Sequence, residues 1–177
     1  MGSSGRSRSN ERRLERVATL ASNNSACTLM QFGRDSEALD ELAEALPALL
    51  RLRNPWTNYY LISSFSEVYA RGGDARRAVM PHGTSNAIAV SVGDATQPTP
   101  EEAQEWGLLA AEIRKSISAE QWDAEYRAGR ATSVEDAVHD IQQTLAHKQR
   151  SPHYPARVTA DHELRIPILQ SITLVAA

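Results

Sequence analysis

A chain of 177 residues with 41 % hydrophobic and 23 % charged residues has room for one domain of ordinary globular composition. Its net charge of −3 excludes a global attraction to nucleic acid or to an anionic membrane. The single cysteine, Cys27, excludes an intramolecular disulfide or a cysteine-based metal cluster, and no apolar run of membrane-spanning length or signal-peptide core is present.

The expectation from these bounds is a cytoplasmic protein without membrane association. Few aromatic residues (6 %) and a mean hydropathy of −0.44 suit a helical fold built on Ala and Leu. Charge is uneven along the chain. Residues 1–16 hold five Arg against two Glu, net +3, so the remainder is net −6. Residues 1–34 are expected to be a basic, largely disordered start, with a short helix over 14–20 that Asn23-Asn24-Ser25 interrupts.

The first strong helix is predicted over 36–53, capped by Asp35 or Ser36. Leu39, Leu42, Ala43, Leu46, Leu49 and Leu50 recur at helical spacing on one face. Pro47 removes a backbone donor there and predicts a kink. Asn54-Pro55 opens the next helix, since Asn caps well and proline suits a first position whose amide would be unpaired anyway. Leu61, Phe65, Val68 and Tyr69 fall on one face of it, Trp56, Tyr59 and Ile62 on another. Two apolar faces predict a helix sandwiched between neighbours. Gly72-Gly73 ends it and Asp74 caps the succeeding helix.

From Ala75 the pattern predicts a short helix, a bend at Pro81-His82-Gly83, and a second helical piece to about Val92. Residues 93–98 read as a loop. Three helices come next, opened by Thr99-Pro100-Glu101-Glu102, Ser118-Ala119-Glu120-Gln121 and Ser133-Val134-Glu135-Asp136. Trp106, Ala110 and Ile113 face inward on the first, Trp122 and Tyr126 on the second, Ala137, Val138 and Ile141 on the third. Gly129 is expected to close the second. The helical domain thus spans 35–148. Residues 149–177 form an irregular tail with proline punctuation and partial strand-like alternation.

Chemistry-bearing groups are sparse. Asp136, His139 and Asp140 share a helical surface, and Asp161-His162-Glu163 is a second acid–imidazole set, yet both read as solvated polarity rather than metal ligands. His82, Ser85 and Asp94 lack a GxSxG elbow and an oxyanion hole. Nothing lowers the pKa of Cys27 as a nucleophile would need. Gly72-Gly73-Asp74 lacks the GxxxxGK[ST] pattern of a phosphate loop. The tryptophans read as core anchors rather than base-stacking platforms. A helix-turn-helix around Gly129 would place Glu135 and Asp136 at the start of its reading helix, against phosphate. The expectation is no enzyme, no cofactor and no metal.

AEQWDAEYRAGRATSVEDAVHDI resembles the closing motif of the large ATPase-type, LuxR-like transcriptional regulators of actinobacteria. Trp122, Tyr126, Gly129, Arg130, Ser133, Glu135 and Ala137 stand in the matching places. NPWTNYYLISSFSEVYARGGDARRA resembles the tetratricopeptide-like helical pair that precedes that motif. The resemblance covers about residues 36–147 and departs at Met80-Pro81-His82-Gly83-Thr84, where the family runs Leu-Leu-Gly-Ala-Ala. It implies an all-α, tetratricopeptide-like repeat array acting as a protein-interaction or sensory scaffold, without the family's ATPase and DNA-binding modules. The partner is then a protein or peptide, and the residues placed to meet it are Trp56, Tyr59, Tyr60, Arg76, Arg77 and His82. The alternative is a small nucleic-acid-binding regulator using the Arg-rich start.

Overall fold

The computed structural model of the protein describes residues 3–93 and 100–150. Seven helices succeed one another among them: α1 (Ser3–Gln31), α2 (Asp35–Leu52), α3 (Pro55–Arg71), α4 (Ala75–Val92), α5 (Pro100–Lys115), α6 (Ala119–Ala131) and α7 (Val134–Arg150). No strand occurs among the described residues. The expected all-α class holds, and no described helix is long and apolar enough to cross a membrane. The expected tail and the cap at Thr99 lie outside the described residues.

The turns obey their local chemistry. Asn54 accepts from the Thr57 amide at 3.0 Å, with Pro55 at the first helical position. Asp74 accepts from the Arg77 amide at 3.2 Å. Ser118 and Gln121 close a full capping box at the start of α6, both bonds at 3.2 Å. Ser133 accepts from the Asp136 amide at 3.0 Å before α7. Gly73 takes a φ of 77° in the α3–α4 turn, a left-handed conformation that glycine adopts without strain.

Four local expectations are corrected. The stretch expected to be largely disordered contains α1, helical over 3–31 with no break at Asn23-Asn24-Ser25; Asn23, Ala26 and Met30 are buried and hold that turn in place. Neither Asp35 nor Ser36 caps α2: the capping position is Arg34, whose side chain pairs with Glu37 instead. α4 is one helix through Pro81-His82-Gly83, because Pro81, His82, Gly83, Thr84 and Ser85 are all buried. Tertiary packing there outweighs the missing amide. Gly129 does not end α6, which runs on to Ala131.

Packing centres on α3 and α4. α3 touches α1, α2, α4 and α5, and its buried residues run all round it from Thr57 to Tyr69, as its two apolar faces predicted. α4 lies between α3 and α6. α7 turns back to contact both α2 and α4. In a regular solenoid each unit touches only its neighbours, so this return contact departs from one. A single core of Leu42, Leu46, Ile62, Phe65, Val79, Ile113, Val138 and other side chains joins the helices.

Candidate functional site

α4 and α6 cross at two glycines. A Cβ on Gly83 would lie 2.5 Å from the Tyr126 carbonyl oxygen, and one on Gly129 2.2 Å from the Met80 carbonyl oxygen. The obstructing atoms are backbone, so no flexible side chain could yield. Thr84 Oγ1 spans the crossing and donates to the Gly129 carbonyl at 2.9 Å. The contact sets where the rings of α6 and the charges of α4 come to lie.

On one side of the crossing the aromatic side chains form a continuous row. Trp56 stacks on Tyr60 (5.8 Å between centroids), Tyr60 meets Tyr59 edge-on (5.1 Å), and Tyr59 reaches Trp106 (6.5 Å). Trp106 stacks on His82 at 5.9 Å, and His82 also meets Trp122 and Tyr126. The Arg114 guanidinium sits 4.4 Å above the Trp122 ring, a cation–π contact. Asn86 Nδ2 donates to the Tyr126 hydroxyl at 3.2 Å and lies 3.3 Å from His82 Nε2. An amide nitrogen there makes Nε2 the acceptor, so the neutral ring carries its proton on Nδ1. Nδ1 is buried and has no hydrogen-bond partner among the described residues. Burial, and secondarily the positive charge of Arg114, lower the His82 pKa to about 4.

On the other side, at the α3–α4 turn, a cleft of about 410 Å³ opens between α3, α4, α6 and α7. Its walls include Arg76, Arg77, Met80, Glu125, Asp140 and Thr144. Arg76 pairs with Glu125 at 3.0 Å and Arg77 with Asp74 at 3.1 Å, so charge of both signs rims the opening. The arginines are largely exposed, and such pairs exchange readily for a partner's charges.

The structure therefore divides the six residues expected to meet a partner. Arg76 and Arg77 line the cleft. Trp56, Tyr59 and Tyr60 lie at the opposite end of α3, a helix about 25 Å long by its 17 residues. Tyr59 and His82 are buried, so neither offers a free surface. Glu125 and Thr144 carry no signal in the sequence, and Asp140 stands out there only beside His139. Their membership of the cleft depends on α6 and α7 folding back over α4, and no local pattern announces that.

The other chemical candidates remain apart. Ser85 Oγ bonds to the His82 backbone carbonyl at 3.0 Å rather than to its ring, and Asp94 lies outside the described residues. Cys27 is buried between α1 and α3, and burial, then Glu67, push its thiol up to about 11. Asp136 accepts from Ser133 and His139 contacts Gln143; no metal-like cluster of His, Cys, Asp and Glu occurs among the described residues. Asp161-His162-Glu163 falls outside them.

Fold and cleft together define an all-α protein with a charged cleft at one end of a helical hairpin. Comparison with protein-family models, with curated proteins and with solved structures returned no match.

Proposed function

We propose that the protein is a non-catalytic interaction scaffold that receives a mixed-charge polypeptide segment in the α3/α4/α6/α7 cleft. The observation carrying this reading is the cleft itself. Its volume of about 410 Å³ suits a few side chains, and charged groups, rather than the apolar walls usual for small-molecule pockets, line it. Four packed helices hold those groups in place. The sequence likeness to actinobacterial regulators is what supports a tetratricopeptide-like scaffold, working in the cytoplasm. Selection of random peptides on the purified protein tests the reading. Sequences carrying both acidic and basic residues should be enriched, and R76E/R77E should lose them. Enrichment of nothing, or of peptides indifferent to R76E/R77E, contradicts it.

A second reading, nucleic-acid binding, is favoured by one observation. Arg8, Arg12, Arg13 and Arg16 are exposed on helical α1, and Arg51 of α2 bonds Glu15 of α1 at 2.6 Å. Duplex affinity that falls steeply with salt and disappears on deleting residues 1–16 would support this; binding unchanged by the deletion would dismiss it.

A further inference from the structure

The outward face of α1 is composed unlike a solvent face. From Val17 through the end of α1 and Phe32 just beyond it, the chain contains no Asp, Glu, Lys or Arg, although α1 forms one edge of the molecule. Thr19, Asn23, Ala26 and Met30 turn inward. The opposite, exposed side carries Leu14, Ala18, Ala21, Ser25, Thr28 and Phe32. These recur at spacings of 4, 3, 4, 3 and 4, the heptad repeat of a two-helix seam. The large members at its ends are strongly exposed, Leu14 at 69 % and Phe32 at 75 %.

We infer that this seam binds a second copy of the chain, α1 against α1, antiparallel about a two-fold axis. The pattern maps onto itself in one register only. With the axis level with Asn23, Leu14 meets Phe32 of the second copy, Ala18 meets Thr28, and Ala21 meets Ser25. Large side chains fill the ends, and small ones let the backbones approach in the middle. A two-fold contact requires this self-complementarity. Charge agrees with the register. Residues 8–16 are net +2, and in the paired arrangement they pass the turn at Gly33-Arg34 of the second copy, where residues 34–41 are net −3. A parallel pairing would set the two basic starts side by side. A contact limited to one helix pair falls short of the roughly 1,200 Å² of tight complexes, so the dimer forms at micromolar concentrations.

Sedimentation equilibrium of the full chain across the micromolar range tests the proposal. The wild type should approach twice the chain mass, and Ala21→Arg should stay at one chain mass with unchanged helical ellipticity. Phe32→Asp, at an exposed helix end where folding is not at stake, should weaken association at least tenfold, whereas Arg127→Ala on α6 should leave it unaltered. A wild type that remains monomeric throughout overturns the inference. So does a dimer that both α1 variants leave intact.

Discussion

His82 and Gly129 show how single residues fix the interior. The unfolded chain protonates His82 near its ordinary pKa of 6.5, while the folded site resists the proton until about pH 4. Its contribution to stability is therefore complete above pH 6.5 and is lost as pH falls toward 4, by up to about 3 kcal/mol. Urea unfolding across that range should show the slope, and His82→Phe should flatten it; an unchanged slope would refute the assignment. Gly129→Ala would force a methyl group into the Met80 carbonyl, so it should destabilise by about 2–3 kcal/mol despite alanine's better helix propensity. A loss within experimental error would contradict the close crossing. Asn23 buries an unpaired Oδ1, so Asn23→Leu should raise the thermal midpoint, consistent with a gain of about 1 kcal/mol.

Among the elements, α3 and α6 were readable because their signals are local. Asn54-Pro55, Asp74 and the Ser118–Gln121 box act within one turn, and a helix with two apolar faces must be sandwiched whatever surrounds it. α4 was not readable. Pro81 and Gly83 are breakers by their own chemistry, and only the opposing backbone of α6 explains why glycine is present in an unbroken helix. Gly129 misled for the same reason. For α1, a Ser/Gly/Arg composition indicated disorder, while the packing that orders its second half comes from α2 and α3. Arg71 joins these elements: it bonds Asp35 at 2.8 Å and the Met30 carbonyl, and lies 3.9 Å from buried Glu67. Arg71→Met should cost about 3 kcal/mol by removing a partner of a buried carboxylate, measured by the same urea unfolding. A neutral result would mean that Glu67 is held by its other contacts.

At the scale of the whole molecule, the return of α7 to α2 and α4 gives the chain its cleft. A linear helical array has no such closure, which is why Arg76 and Arg77 were identifiable as candidates while Glu125, Asp140 and Thr144 were not. Binding at this end leaves the aromatic row and the outer face of α1 free, so partner capture and self-association are separable. The most direct measurement is an amide chemical-shift titration of the labelled protein with an enriched mixed-charge peptide. Perturbations should cluster at Tyr69, Asp74, Met80, Glu125, Asp140 and Thr144, and none should appear in R76E/R77E. Shifts confined to the Trp56–Tyr60 end, or spread along α1, would contradict a peptide seated in the cleft.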